Sequence, residues 1–291
     1  MLMKMSKMLI GATGVIFASA TATNAGYIVP GETAGLAALS PLPEGIYVVN
    51  NYTYGGTNAG ALGVEIPYFV WSTPWTFANT RIEFIGVTPY ANIENPGFHR
   101  SGMISVAYGG ILAHDFGGGF TGGVLALARS ADPDPTIAAA SGRTTASAVF
   151  GAGLYYTKDS YHLAATAIYS TSLGGAVTGV AGGGNNDTIG VDFSATKSFG
   201  KLELGFVGFT YADATNLQTS VGGTRNRETE LGGLVGYDFG PVTAQAYVTR
   251  AVTTTYNGVK APDETRGWLR LIVPLWQAPT QVAAAPLKAR Y

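Results

Sequence analysis

The 291-residue chain has no cysteine, which removes disulfide frameworks, thiolate metal sites and cysteine nucleophiles together. Charge is scarce as well. Charged residues make up 12 % of the chain, about half the ~25 % usual for soluble globular domains, so something other than charge must cover its surface. Beyond the first 25 positions no run of 18 apolar residues occurs, which excludes a transmembrane helix. The three histidines, His99, His114 and His162, lie on separate stretches without ligand spacing, and no transition-metal site is expected. "FGGGF" lacks the Lys-Ser or Lys-Thr of a phosphate loop and reads as a turn, and "DPDP" at 132–135 offers too few oxygens to prefer calcium over a solvated acidic turn. No cofactor is expected.

Glycine and aromatics are what the chain has instead: 41 glycines, and 11 % Phe, Trp and Tyr, spread without a Gly-X-Y period or a low-complexity block. The first 25 residues read as an export signal, with Lys4 and Lys7 ahead of an apolar run over 8–20 and small residues up to Ala25. Cleavage is expected after Ala25, with Ala22 as the runner-up. Removing Lys4 and Lys7 from 17 basic residues leaves 15 against 18 acidic, so no basic surface for nucleic acid is suggested.

Twelve stretches read as strands: 45–54, 61–71, 81–93, 101–114, 120–130, 145–156, 161–172, 188–199, 201–212, 228–239, 242–256 and 264–276. Each has about the length that a tilted strand needs to cross hydrocarbon. Apolar residues alternate with polar or small ones in several. Leu62, Val64, Ile66, Tyr68 and Val70 oppose Gly63 and Glu65; Leu231, Val235, Tyr237 and Phe239 oppose Gly232, Gly236 and Asp238; Leu269, Leu271, Val273 and Leu275 oppose Arg266 and Arg270. In "VDFSATKSF", Val191, Phe193, Ala195 and Phe199 are expected to face lipid. Asp192, Ser194, Thr196 and Ser198 are then expected to face a wet lumen, with Lys197 near an interface.

Connections alternate too. "HDFGGGF", "TKDSY", "SFGKL" and "DFGPV" are tight, whereas 92–100, 131–144, 173–187, 213–227 and 257–263 are long and rich in Gly, Asn, Asp, Pro and Thr. Short turns on one rim and long loops on the other are how bacterial outer-membrane barrels are organised. Trp71, Trp75, Phe116, Phe120, Tyr156, Tyr161, Phe199, Phe239 and Trp276 fall at the short-turn ends, and Tyr54, Tyr90, Tyr169, Tyr211 and Tyr256 at the others, as two headgroup belts require. The expected fold is all-β: a closed antiparallel transmembrane β-barrel of about twelve strands. It would lie in the outer membrane among lipid and lipopolysaccharide, delivered there by the barrel-assembly machinery.

The expected organisation is a signal peptide (1–25), a periplasmic leader or plug (26–44), the barrel (45–276) and a tail (277–291). Pro30, Pro41 and Pro43 prevent the leader from being a spanning strand, and "GETAGLAAL" has room for one or two helical turns. Strand parity sends Glu65, Arg81, Glu83, Asp192, Glu203, Glu230 and Arg270 to the lumen. They either line a constriction passed by a small-molecule solute or only stabilise the wall. "HRS" at 99–101 matches the His-x-Ser pair with which some barrels hydrolyse lipid, but a single match without an orienting partner does not make an enzyme.

The stretches "YIVPGETAGLAALSPLPEGIYVVNNYTYGG", "TKSFGKLELGFVGFTYADATN", "LGGLVGYDFGPVTAQAYVTR" and "GWLRLIVPLW" resemble, in order, the outer-membrane transporter family named for the MetA pathway of phenol degradation, which includes the SphA-like proteins. The resemblance runs from about Tyr27 to Trp276. It implies an outer-membrane barrel associated with passage of hydrophobic or aromatic small molecules, and no catalytic residue. Two departures stand out: Pro41-Leu42-Pro43 in place of a run of prolines, and fifteen residues after Trp276.

Overall fold

The computed structural model describes residues 29–57, 60–95, 97–141, 145–174, 187–214, 226–256, 259–260 and 264–279. The expected signal peptide, most of the tail and the middles of two long loops lie outside these residues. In chain order the strands are β1 (Gly45–Thr57), β2 (Gly60–Phe77), β3 (Thr80–Val87), β4 (Tyr90–Asn95), β5 (Phe98–Met103), β6 (Ala107–Gly117) and β7 (Phe120–Arg129). A short helix, α1 (Pro135–Ser141), precedes β8 (Ser147–Lys158), β9 (Tyr161–Ser172), β10 (Thr188–Phe199), β11 (Leu202–Asp213), β12 (Arg227–Asp238), β13 (Thr243–Tyr256), β14 (Val259–Lys260) and β15 (Thr265–Gln277).

Every pairing is antiparallel, and β1 bonds both β2 and β15, which closes the sheet into a barrel. The wall has twelve strands. β2 is long enough to bond β3 through Tyr68–Phe77 and β4 through Ala61–Glu65, so β3 and β4 form one interrupted strand. β5 and β6 form the next, and the two-residue β14 pairs antiparallel with the end of β13, ahead of β15, so it adds no strand to the wall. The interruption falls at Pro89, which has no N–H for the ladder. Its carbonyl instead accepts the Ile104 N–H across the break, at 3.0 Å. The expected loop at 92–100 is largely the β4–β5 hairpin, and α1 occupies part of the expected loop at 131–144.

Tight turns gather on one rim. Ala78 and Asn79 (φ 45° and 60°) and Asp159 and Ser160 (φ 52° and 68°) adopt the left-handed pairs that match strand twist in two-residue hairpins. Gly117, Gly118 and Gly119 all have positive φ, which only glycine adopts without strain. In outer-membrane barrels this rim faces the periplasm.

The outer face is apolar. Phe193 and Phe199, Leu231, Val235, Tyr237 and Phe239, and Leu269, Leu271 and Leu275 are all exposed on it, while Asp192, Ser194 and Thr196 point inward. Trp71, Trp75, Phe116, Phe120, Tyr161, Phe199, Phe239 and Trp276 form the exposed short-turn belt, and Tyr54, Tyr90 and Tyr169 the opposite one. Tyr211 departs from this pattern: it is 4 % exposed and faces the interior. Lys197 reaches the Tyr161 hydroxyl at 3.1 Å and lies over that ring, 4.5 Å from its centroid.

β2 reverses the expected sidedness. Val64 and Ile66 belong to an internal cluster with Val29 and Ala34, whereas Phe69 and Trp71 are exposed on the outside. Glu65 shares that outer parity, exposed and bonded by Asn50 Nδ2 at 3.1 Å, so it does not line the lumen. The reason is that the interior here is itself apolar. Alternation marks two faces but does not say which is inside when both are greasy.

Candidate functional site: the occupied lumen

The interior is occupied by residues 29–44, which climb from the start of β1 into the barrel. Four i→i+3 hydrogen bonds, from Glu32 to Val29, Ala34 to Gly31, Leu36 to Thr33 and Ser40 to Ala37, fold the segment into consecutive turns. No helix forms. Gly31 and Gly35 have φ of 90° and 77°, which ends any right-handed helical run where "GETAGLAAL" had room for one.

Wall side chains bind this segment along its length. Asp192 accepts the Gly31 N–H through Oδ1 (3.1 Å) and the Thr33 N–H and hydroxyl through Oδ2 (2.8 and 2.7 Å). Arg270, 1 % exposed, donates to the Ala34 and Glu32 carbonyls (2.7 and 2.9 Å). Its other bonds fix the guanidinium to Asn51 (2.6 Å), Gln245 (2.9 Å) and the Tyr247 hydroxyl (3.1 Å). Tyr247 in turn donates to the Gly31 carbonyl, and Asn51 to that of Glu32. Lower down, the Tyr155 hydroxyl accepts the Leu39 N–H, Ser40 bonds Thr121, Glu83 accepts the Leu42 N–H and Ser72 donates to the Leu42 carbonyl. A segment lacking regular structure must satisfy its buried backbone through such partners.

An apolar core adds to these contacts. Val29 and Ala34 pack with Val64, Ile66, Val207, Leu234 and Trp268, and Ile137 of α1 joins the same cluster from the long-loop side. At Gly31 a Cβ would lie 2.7 Å from the Phe209 ring, so the turn fits only because the side chain is absent. Asp134 caps α1, its Oδ1 accepting the N–H groups of Thr136 and Ile137, and Arg100 binds its Oδ2 at 2.7 Å. The Ile137 and Thr136 N–H groups and Arg100 together hold the Asp134 carboxyl below the usual aspartate range.

On the short-turn side a cavity of about 340 Å³ remains beneath the segment. Leu36 and Ala37 roof it, and His162, Ser194, Thr196, Glu203 and Gln245 line it. Glu203 accepts Thr196 Oγ1 at 2.5 Å and Gln245 Nε2 at 3.0 Å.

Of the seven residues expected in the lumen, Asp192, Arg270 and Glu83 hold the inserted segment, and Glu203 lines the cavity below it. Glu230 is fully buried among inward-facing residues of the wall. Arg81 shares the parity of Glu83 but bonds the Thr73 carbonyl at the rim. Glu65 faces outward. Asn51, Tyr155, Gln245 and Tyr247 were not singled out from the sequence, although the parity that selects Arg270 and Asp192 applies to them equally. His99 and Ser101 both bond one acceptor, Asn92 Oδ1, at 2.9 and 2.8 Å, instead of each other. The Ser101 proton is therefore not directed at the histidine, as nucleophile activation requires.

The family model described as "Putative MetA-pathway of phenol degradation" matches residues 21–261. No curated protein matches the chain. The COG4313 outer membrane channel from Pseudomonas putida F1 superposes with a TM-score of 0.63 at 10 % identity, over 84 % of this chain and 99 % of that one. The NanC porin superposes with a TM-score of 0.51 at 10 % identity, over 78 % and 100 %. At such identity these likenesses concern the fold, which is that of an outer-membrane β-barrel.

Proposed function

We propose, for a chain that belongs to the family of the putative MetA pathway of phenol degradation, that the barrel is a passive outer-membrane channel for small hydrophobic or aromatic solutes, gated by residues 29–44. The observation that carries this reading is the way the inserted segment is held. Hydrogen bonds are made at intervals along it, and its apolar contacts line the same interior that a greasy solute would use. Such an interior favours partition of a phenolic or hydrocarbon solute over a sugar, because apolar groups gain by leaving water. Diffusion down a gradient would suffice, with the cavity above Glu203 as the periplasmic vestibule. Lipopolysaccharide and phospholipid would surround the outer face, and the aromatic end of β15 at Trp276 suits recognition by the assembly machinery. The outer membrane channel from Pseudomonas putida F1 and the family description support the same class.

The apolar core inside the barrel favours a second reading, a sealed structural barrel. Liposome flux with phenolic solutes, fatty acids and sugars separates them. The parent protein is expected to pass phenolic solutes, and deletion of residues 29–39 to raise both that flux and the single-channel conductance. A parent that passes none of the solutes, with a deletion variant equally tight, would leave the sealed barrel as the answer.

A further inference from the structure

Away from the contacts just described, the inner wall gathers Glu228 and Glu230 of β12, Glu264 just before β15, and Arg266 of β15. All four are buried, at 3 %, 0 %, 5 % and 3 % exposure. One carboxylate oxygen from each glutamate lies within 4.8 Å of the others. Arg266 Nη2 reaches Glu228 Oε1 at 3.5 Å and Glu264 Oε1 at 3.2 Å. Three carboxylates face one guanidinium, so two negative charges stay uncompensated out of water, a costly arrangement unless a proton or a cation joins them.

Ligand-type oxygens in this cluster are left without protein donors. Glu228 Oε2 and Glu230 Oε1 are buried and receive no N–H or hydroxyl donor from the protein, Glu230 Oε2 accepting from Thr249, while the Glu228 and Glu230 carboxyls lie within hydrogen-bond reach of each other. A further ligand-type group is independent of the acidic cluster: the Thr254 hydroxyl, 6 % exposed and without a partner, on the residue paired with Glu228 in the ladder. On the far side Gly55 leaves room for Glu264, since a Cβ there would stand 2.5 Å from Glu264 Oε1.

We propose that Glu228, Glu230, Glu264 and the Thr254 hydroxyl form a binding site for one hard divalent cation, calcium by preference, in the barrel wall. Charge balances with a single divalent ion. Coordination chemistry selects among them: magnesium demands near-ideal octahedral geometry and keeps several waters, whereas calcium accepts an irregular set of carboxylate and hydroxyl oxygens supplied by the protein. Arg266 also donates to the Pro30 carbonyl at 3.4 Å, which places the site against the inserted segment. The proposal does not depend on what the channel carries.

The test uses full-length protein refolded in detergent, free of lipopolysaccharide and stripped with EDTA. Calorimetry with calcium chloride is expected to give one site per chain, and terbium chloride is expected to give luminescence sensitised by Trp268, one pleat along the inner face from Arg266, that calcium displaces. Glu230→Gln is expected to weaken both at least tenfold. Tyr211, paired with Glu228 and buried on the same face, is a second sensitiser, so Trp268→Phe/Tyr211→Phe is expected to remove the emission and keep the calcium heat, which locates the site without altering a ligand. Folding of every variant is read from its heat-modifiable gel mobility. The proposal is overturned if the folded parent binds neither metal, which would mean the carboxyls share a proton instead. It is overturned equally if terbium emission survives Trp268→Phe/Tyr211→Phe, or if Thr254→Val and the Glu228→Gln/Glu230→Gln protein bind calcium as the parent does.

Discussion

Asp192 and Thr33 stand 159 positions apart and meet through two hydrogen bonds to one carboxylate oxygen, 2.8 Å from the backbone N–H and 2.7 Å from the hydroxyl. A wall strand thus grips the inserted segment by a charge-assisted contact that forms only when the barrel has closed.

Asp192→Asn keeps the shape of this contact but removes its charge. Hydrogen bonds to charged groups are worth about 1.5–3 kcal/mol, and each ~1.4 kcal/mol is tenfold in an equilibrium. The fraction of time that the segment spends out of the lumen should rise at least about tenfold, read as single-channel open probability and as protease sensitivity of residues 29–44. An open probability within twofold of the parent's would remove Asp192 from the gate.

The absence of cysteine makes a lock easy to build. Ser40 Oγ lies 2.7 Å from Thr121 Oγ1, so Ser40→Cys with Thr121→Cys should form a disulfide tying the segment to β7. Oxidised protein is expected to conduct less than the parent, and dithiothreitol to restore it. Conductance indifferent to dithiothreitol, with the crosslink verified by mass, would show that the segment does not gate.

Two glutamates of opposite sidedness give an internal control for ion selectivity. Glu203 borders the cavity under the segment, and Glu65 lies on the outer face. Glu203→Gln should shift the reversal potential towards weaker cation preference in a salt gradient, and Glu65→Gln should leave it unchanged. A shift from Glu65→Gln alone would invert the sidedness of β2.

Loop closure over the long-loop rim should depend on the Asp134 carboxylate. Because its folded pKa is lowered, its contribution is present above the unfolded aspartate value of about 3.9 and is lost as pH falls through the lower, folded one. Hydrogen exchange at residues 136 and 137 should therefore stay slow at neutral pH and quicken only in strong acid, while Asp134→Ala quickens it at every pH. Equal protection in Asp134→Ala and parent at pH 7 would contradict the cap.

Much of the wall is legible without coordinates. The period of two in 188–199 and 228–239, the scarcity of charge and the alternation of tight and long connections suffice for twelve antiparallel strands with an oily exterior. They suffice because lipid and water impose opposite demands on successive residues of a strand. Asp192, Glu83 and Arg270 are found by the same parity.

What the chain alone left open is which side of β2 is inside, and what fills the barrel. Val64 and Ile66 look lipid-facing by every local measure, and Glu65 looks internal. Only the docking of Val29 and Ala34, far from β9–β13 in sequence, makes the interior apolar there and turns the greasy face inward. The approach of Glu264 to Glu228 and Glu230 is likewise set by the register of β12, β13 and β15, which no stretch of sequence specifies by itself. Local alternation is decided by neighbours in the chain, whereas the choice of inside, and the company each buried charge keeps, is decided by contacts that exist only once the ring has shut.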